Sequence, residues 1–525
     1  MVEERPNILF VFTDQQRFDA IGALGSSLLK TPHLDEWVQS GVTFTRAYTP
    51  CPVCVPARCS LVTGRPAHET GVVDNASMPF SEQTFMARLS DAGYQTHGVG
   101  KMHFDPDYRS MWGFESRDIS EEGKPDTDYM EFLRDAGYSH VDSPMGLRGE
   151  YYYIPQPSQL PQELHETHWV ADRSIDFLNR RDRERPFFLW TSFIKPHPPF
   201  ENPNPWYNLY RAREMEEPFI PENSHELTCL WNDIQNRYKY RDGDYDRQLM
   251  RTIRAAYFAC ISFVDYQIGR ILETLGDDRD NTIIVFSSDH GELLGDYGCV
   301  GKRCMLDPAV RIPMIVVDPR KKESAGTLCD KPVSLLDVFP TFLKAAGLED
   351  YRVHEDGDDL LDIADGIVPR SYTFSQFSDA AYGLYMVTDG EWKYIYSAPD
   401  EKEWLFSLNS EEREATNMAD SDAAESVKER LRDALISRFQ AVGYSTAVDG
   451  DKWRIYGKTV LADDPDYGLL QQDMPFLQNR IDELGPDYAR NVTLSDEDSY
   501  RILCDHSNPQ VPPMPVRSLD KIEQK

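Results

Sequence analysis

The chain has 525 residues, of which 40% are hydrophobic and 12% aromatic, and its formal net charge at pH 7 is −33. This length predicts one large domain with smaller additional units, and the apolar content excludes a globally disordered protein. The acidic balance disfavours nucleic acid and anionic membranes as partners. It also requires that any anionic substrate meet a local cluster of positive side chains.

The N-terminal residues lack the basic and apolar segments of a signal peptide, and no apolar run approaches the roughly 20 residues of a membrane span. The nine cysteines have no spacing typical of a disulfide framework. We therefore expect a cytoplasmic protein that does not bind membranes, although a chain with a trimmed leader would have the same appearance.

Four short apolar runs end at polar residues, which is typical of strands buried on both faces of a parallel sheet. The runs are 7–13, 186–194, 282–288 and 311–317. Ligands of such sheets bind beyond the carboxyl ends of the strands. We therefore expect Asp14, His197 and Asp289, which follow the first three runs, to lie in one site.

Helical periodicity lies between these runs. The longest pattern extends from Leu249 to Leu275 and ends before Gly276, and a shorter one contains Phe85 and Leu89. Strands that alternate with helices predict an α/β sandwich with a mostly parallel central sheet.

Near residue 375 the pattern changes. Residues 385–396 predict a hairpin with Asp389 and Gly390 in its turn, and residues 427–439 predict an amphipathic helix. The chain thus divides into three predicted parts: a catalytic α/β domain over 1–375, a small antiparallel β subdomain with a helix over 376–445, and an extension over 446–525 that packs on the core or on a partner subunit of a homo-oligomer.

The segment from Cys51 to Arg58 carries the strongest chemical signal. Cys54 precedes a helix that we expect to begin at about Pro56, since proline is favoured in a first helical turn. The free N–H groups of a helix N-terminus favour a negative charge, and Arg58 adds a cation. Cys51 and Cys54 could also form a redox pair or half of a zinc site, although the sequence has no second Cys-x-x-Cys pair.

Cys54-x-Pro-x-Arg58, followed by Leu61 and the tripeptide 63–65, resembles the signature of the type I sulfatases of the alkaline phosphatase superfamily. In motif order the resemblance covers residues 6–445. It implies an alkaline-phosphatase-like α/β/α sandwich and a nucleophile formed by oxidation of Cys54 to formylglycine. A formylglycine-generating maturation enzyme is therefore an expected partner.

The resemblance also implies one divalent metal ion. Its ligands would be Asp14, Gln15, Asp289 and His290, together with the modified Cys54. Relatives commonly have Asp at position 15 and Asn at position 290, whereas some sulfatases and the related phosphonate monoester hydrolases have Gln and His there. Calcium is the usual ion of the family, and the imidazole leaves manganese or another transition metal open.

Further motifs of the family imply the remaining site residues. Gly-Lys101-Met-His103 resembles the Gly-Lys-x-His of sulfatases, which phosphonate hydrolases tend to lack. His197 and Lys302 occupy family positions for sulfate contact, and Asn75 occupies the position of a substrate-contacting residue in some relatives.

The same resemblance implies the catalytic roles. Arg58 would hold the nucleophile and Asp289 would accept the proton of the attacking hydroxyl. Lys101, Lys302 and His197 would neutralise the charge on the sulfonyl oxygens. His197 or Lys302 would protonate the leaving oxygen. His103 would accept the proton released in the final step.

We therefore predict a sulfuric ester hydrolase. Carbohydrate sulfates are the preferred substrates, because Trp206, Tyr207 and Trp231 could line a sugar cleft, and aryl sulfates are an additional option. One alternative is a phosphonate monoester or phosphodiester hydrolase on the same scaffold. Another is an inactive protein that binds sulfated ligands.

Overall fold

The computed structural model describes residues 5–461 except residues 80, 82, 142, 149, 150, 240, 244, 245, 349 and 410–412. Most of the predicted C-terminal extension, residues 462–525, lies outside the described residues.

The strands are β1 Asn7–Asp14, β2 Val42–Phe44, β3 Ala47–Tyr48, β4 Gln95–Gly100, β5 Ser116–Ile119, β6 Gln156–Pro157, β7 Phe187–Pro196, β8 Glu201–Asn202, β9 Thr282–Ser288, β10 Arg311–Ile312, β11 Met314–Val317, β12 Thr327–Cys329, β13 Val333–Ser334, β14 Thr373–Phe377, β15 Leu384–Thr388, β16 Trp392–Ser397, β17 Lys402–Ser407, β18 Val448–Asp449 and β19 Lys452–Trp453.

The α-helices are α1 Pro32–Ser40, α2 Cys54–Thr63, α3 Ala67–Thr70, α4 Phe85–Asp91, α5 Asp128–Asp135, α6 Glu166–Arg180, α7 Ser224–Leu227, α8 Leu230–Tyr238, α9 Arg247–Leu275, α10 Asp307–Val310, α11 Val338–Ala345, α12 Leu360–Asp365 and α13 Glu425–Ala441.

The central sheet has eight strands in the order β12-β2-β11-β9-β1-β7-β4-β5. Strand β1 is parallel to both of its neighbours, β7 and β9, and β4 is parallel to β7 and β5. The predicted mostly parallel sheet is thus confirmed. The run 311–317 is an exception, since β11 is antiparallel to both β9 and β2. A continuous apolar run indicates that a strand is buried on both faces of the sheet. Parallel and antiparallel strands can both be buried in this way.

Side chains of β1 alternate between two hydrophobic cores, one on each face of the sheet. Phe10 and Phe12 belong to the core that contains residues of α2, α4 and α11, and the rings of Phe10 and Phe342 are 5.1 Å apart. Leu9 and Val11 belong to the opposite core, with residues of α1, α6 and α9. Helices therefore cover both faces, and the predicted α/β/α sandwich is confirmed.

The predicted helices are also present. Helix α9 begins two residues before the predicted pattern, where the side chain of Asp246 accepts a hydrogen bond of 2.7 Å from the backbone N–H of Leu249. It ends at Leu275, and Gly276 adopts a positive φ of 53°. Helix α4 covers the shorter pattern.

The C-terminal sheet consists of β14 to β17 in antiparallel order, and β15 and β16 form the predicted hairpin. Helix α13 packs on this sheet through Leu431, Leu435 and Phe439. The predicted domain division at residue 375 falls within β14. The first residues of the predicted extension pack here too, since Trp453 stacks on Tyr396 at a centroid distance of 4.4 Å. The partner-subunit contact of the extension stays a prediction.

In the described part of the chain, no helix combines the length and the apolar character needed to cross a bilayer. The eight cysteines of this part are buried and carry free thiols.

Candidate functional site

The carboxyl ends of three neighbouring strands supply the base of the site. Asp14 is the last residue of β1, Asp289 follows β9, and His197 follows β7. The chain then brings Cys54, the first residue of α2, to the same edge of the sheet. The ligand atoms of Asp14, Cys54, Asp289 and His290 all lie within 4.8 Å of one another. Asp14 and Asp289 thus lie together with Cys54, and His197 lines a cavity that Cys54 also lines.

Helix α2 begins at Cys54, two residues earlier than predicted. Pro56 occupies its third position, where the absent N–H is not needed, because the first turn of a helix has no internal acceptors. The backbone N–H of Val55 donates instead to Oδ1 of Asn75, at 3.2 Å. The thiol of Cys54 therefore lies at the positive end of a helix dipole.

The Cys54 sulfur has three polar neighbours. Sγ lies 3.1 Å from Nζ of Lys302, 3.3 Å from Nε2 of His290 and 3.7 Å from Oδ1 of Asp14. Burial and Asp14 raise the pKa of Cys54, but Lys302, Lys101 and His290 outweigh them and hold it well below its usual value. A low thiol pKa favours the reactive anionic form.

Arg58 connects the two aspartates. Its Nη2 and Nε donate to Asp14 and Asp289, both at 3.1 Å, and its Nη1 donates to the carbonyl of Lys101 at 2.6 Å. The guanidinium is fully buried and lies over the ring of Phe12. Because these carboxylates and Arg58 fix one another, Arg58 orients the base of the site.

The two carboxylates differ in their electrostatic environment. Burial raises the pKa of Asp14, but Lys101, His197, Arg58 and Lys302 together hold it well below the usual value. Burial and the charge of Asp14 raise the pKa of Asp289, against the opposing effects of His290 and Arg58.

The donor set fits a hard divalent cation. Oδ1 of Asp14 and Nε2 of His290 are 3.9 Å apart, and the same imidazole nitrogen is 3.4 Å from Oδ1 of Asp289. Nδ1 of His290 lies 3.1 Å from the carbonyl of Gly291, an arrangement that turns Nε2 toward the carboxylates. Two carboxylates beside an imidazole can hold a divalent metal ion.

Gln15 has a positive φ of 69°, and its side chain also reaches the cluster. Its Oε1 accepts a hydrogen bond of 2.7 Å from Lys302, whose ammonium also contacts the Cys54 sulfur. Its Nε2 donates to Glu292, so the amide oxygen points toward Lys302. Glu292 is itself held by the backbone N–H groups of Leu294 and Gly301.

The three predicted sulfate-binding residues line one cavity together with Cys54. They are Lys101, His197 and Lys302. Nζ of Lys101 contacts Asp14 at 2.8 Å and Glu122 at 2.5 Å. Nδ1 of His197 lies 2.7 Å from the carbonyl of Pro198 and 3.2 Å from Glu122. Lys302 completes the set. His103 and Asn75 line the same cavity, and within the described residues Nδ1 of His103 is buried without a hydrogen-bond partner.

Several residues that line this cavity were not predicted from the sequence. They are Glu122, Arg148, Tyr152, Tyr238, Lys239 and Arg303. Glu122 contacts both Lys101 and His197 and forms an ion pair with Arg148. These residues come from loops and a helix end rather than from strand ends. Of these residues, only Arg303 is adjacent in sequence to a predicted site residue, Lys302.

The aromatic residues that suggested a sugar cleft lie elsewhere, and that interpretation was wrong. Trp231 is fully buried and donates to the carbonyl of Tyr382, and Trp206 stacks on Phe263. Neither of them nor Tyr207 lines the cavity of Cys54. An aromatic residue type predicts capacity for packing, but not the surface on which it packs.

Comparison with known proteins identifies related chains. Residues 6–348 match the family described as Sulfatase, and residues 295–441 match N-sulphoglucosamine sulphohydrolase, C-terminal. The arylsulfatase of Clostridium perfringens (strain 13 / Type A) is 30% identical over 482 residues, which cover 85% of this chain and 97% of that protein. The choline-sulfatase of Rhizobium meliloti (strain 1021) is 29% identical, with coverages of 87% and 92%.

Among solved structures, the phosphonate monoester hydrolase of Agrobacterium radiobacter aligns with a TM-score of 0.71 and 27% identity. The alignment covers 83% of this chain and 96% of that chain. Proteins similar to this chain thus include both sulfatases and a phosphonate hydrolase.

Proposed function

The chain belongs to the sulfatase family and is a sulfatase, and on this premise we propose that it hydrolyses sulfate monoesters with a formylglycine nucleophile made from Cys54. One observation carries the proposal: Cys54 begins a helix inside a buried cluster of metal-ligand groups and lies 3.1 Å from the ammonium of Lys302. The match to N-sulphoglucosamine sulphohydrolase supports carbohydrate sulfates as substrates, with aryl sulfates as the wider option.

In the proposed first step, one hydroxyl of the hydrated aldehyde forms a bond to sulfur while the bond from sulfur to the alcohol oxygen breaks. Asp289 accepts the proton of the attacking hydroxyl. Lys101, Lys302 and His197 neutralise the charge that spreads over the sulfonyl oxygens. His197 or Lys302 transfers a proton to the departing oxygen, which leaves as an alcohol.

In the proposed second step, the remaining hydroxyl loses its proton to His103. The bond between its carbon and the sulfate oxygen then breaks, sulfate leaves, and the aldehyde forms again for rehydration by water. An aldehyde hydrate thus releases sulfate without a second attack on sulfur, which a serine ester could not do.

A divalent cation would be held by Asp14, Gln15, Asp289, His290 and the modified residue 54. When bound, it lowers the pKa of a hydroxyl and polarises a sulfate oxygen. We propose calcium, with manganese or another transition metal as the alternative. A maturation enzyme that oxidises Cys54 is part of the same proposal.

Replacing Lys101 by alanine tests the sulfate-binding cations. Lys101→Ala is expected to lower kcat/KM for an aryl sulfate by about 10²-fold, because it removes a buried ammonium from the developing negative charge. The matched control is Lys393→Ala, which removes a buried ammonium that pairs with Asp307 and Glu414 outside the cavity. Both variants are compared by steady-state kinetics and thermal unfolding. An equal loss of activity in the two variants would contradict the role of Lys101.

Comparison of two substrates tests the alternative reaction. The alternative of a phosphonate monoester or phosphodiester hydrolase is favoured by the solved structure described above and by Gln15 and His290. With 4-nitrophenyl sulfate and 4-nitrophenyl phenylphosphonate, which share a leaving group, we expect kcat/KM to be at least about tenfold higher for the sulfate, because Lys101 and His103 complete its binding site. The reverse order would favour the alternative. Failure of matured enzyme to turn over either compound or a set of carbohydrate sulfates would favour an inactive binding protein.

A further inference from the structure

The lining of the Cys54 cavity has an excess of positive charge. Its lining includes six lysine or arginine residues and three aspartate or glutamate residues. The protein as a whole carries a net charge of −33, so this local excess opposes the overall field. Lys101 and Lys302 contact the groups of the reaction centre, whereas Lys239 and Arg303 line the same cavity and have no role in the proposed reaction.

Lys239 is a buried cation that touches no carboxylate directly. The residue is 3% exposed, and no carboxylate among the described residues lies within ion-pair distance of it. Its main counter-charge, Glu292, is reached only through the hydroxyl of Tyr153. Nζ donates to the hydroxyl of Tyr153 at 3.3 Å and lies 4.9 Å from the centre of that ring. It also lies 5.7 Å from the ring centre of Tyr152 and 5.6 Å from that of Tyr238.

Arg303 lies beside the same tyrosine ring. Its guanidinium carbon is 5.9 Å from the ring centre of Tyr238, and Nη1 donates to the hydroxyl of that residue. Its carboxylate contact is long, at 3.5 Å to Asp74, and Nε is buried without a hydrogen-bond partner among the described residues. Lys239 and Arg303 therefore present incompletely paired cations around Tyr238.

A buried cation whose counter-charge is not in direct contact is energetically costly, and an anion bound beside it offsets that cost. Burial lowers the pKa of Lys239 to about 7, with Lys302 and Arg303 acting in the same direction against Glu292. A bound anion would favour the charged ammonium. Tyr152 and Tyr238, which line the cavity, provide apolar ring surface next to these cations, and this surface suits an organic group that carries a negative charge.

We propose that Lys239 and Arg303 bind a second anionic group, a carboxylate or a second sulfate, on the alcohol part of the substrate. The preferred substrates are therefore sulfate monoesters of acidic alcohols, and a cationic alcohol is rejected by like-charge repulsion. This inference rests on the proposed sulfatase reaction, but it assigns residues that the reaction does not use.

The test measures binding separately from turnover. All four ligands carry the same aryl sulfate and differ only in a second group, which a methylene group separates from the ring. This second group is a carboxylate in 4-(sulfooxy)phenylacetate, a neutral amide, a second sulfate or a trimethylammonium group. Calorimetry with the Cys54→Ala chain in calcium buffer is expected to show affinity for either acidic ligand at least about tenfold above that for the amide. The cationic analogue should bind more weakly than the amide.

Introducing Lys239→Met into the same background should lower the affinity for the acidic ligands about tenfold more than the affinity for the amide. The control is Lys124→Met, since Lys124 lines the same cavity and lies over Tyr108. The proposal is overturned if the parent shows no acidic preference, if Lys239→Met weakens all ligands equally, or if Lys124→Met has the same selective effect. Acidic preference in binding without turnover by matured enzyme would instead reject the proposed reaction.

Discussion

Replacing Cys54 by alanine is expected to abolish sulfate ester hydrolysis while the fold remains intact. The variant lacks the nucleophile, and loss of a nucleophile lowers kcat by about 10⁴-fold or more. Stability should change little, because the neighbours of the Cys54 sulfur keep other partners: Lys302 donates to Gln15, and Asp14 pairs with Arg58 and Lys101. Kinetics on chain coexpressed with a maturation enzyme, together with thermal unfolding, measure both effects.

Cys59 provides a matched control on the same helix. It is buried in the hydrophobic core, and burial raises its pKa to about 12, so its thiol is inert. Cys59→Ala should retain activity, and mass spectrometry of the parent should find an aldehyde at residue 54 and an unmodified thiol at residue 59. Full activity of Cys54→Ala, or of parent enzyme that contains only unmodified cysteine at residue 54, would contradict the formylglycine mechanism.

The base of the site was predictable because local sequence rules determine it. Buried strands end at polar residues, and parallel neighbours bring those ends to one edge, so the sequence alone predicts that Asp14 and Asp289 lie together. The first residue of helix α2 was predictable only to within two residues. Pro56 is compatible with the first or the third helical position, and the N–H of Val55 is satisfied by the distant Asn75.

The remaining residues that line the Cys54 cavity were not predictable for a different reason. Glu122 and Arg148 lie outside the helices and strands, and Lys239 follows the end of α8, so no periodic pattern indicates which way their side chains point. Their proximity depends on long-range packing of segments that are far apart in sequence. For the same reason, residue type alone misplaced Trp206 and Trp231 in the substrate cleft.

Replacing Arg58 by methionine is expected to damage both stability and activity. The substitution keeps much of the side-chain volume but leaves Asp14 and Asp289 buried without the guanidinium that contacts each at 3.1 Å. Removal of one partner of a buried ion pair costs about 3–5 kcal/mol of unfolding free energy. Activity should fall by about 10²-fold or more, because the two carboxylates lose the group that orients them.

Arg370 separates these two effects, because it also forms a buried ion pair, with Asp337, but lies outside the Cys54 cavity. Arg370→Met should lower the unfolding temperature to a similar extent and leave kcat/KM of the remaining folded enzyme near that of the parent. If both variants lose stability and only Arg58→Met loses activity, the pairing of Arg58 with Asp14 and Asp289 is part of the reaction centre. If Arg58→Met retains parental activity at a temperature where it is folded, the guanidinium is a structural element alone, and orientation of the nucleophile must come from Lys302 and the start of α2.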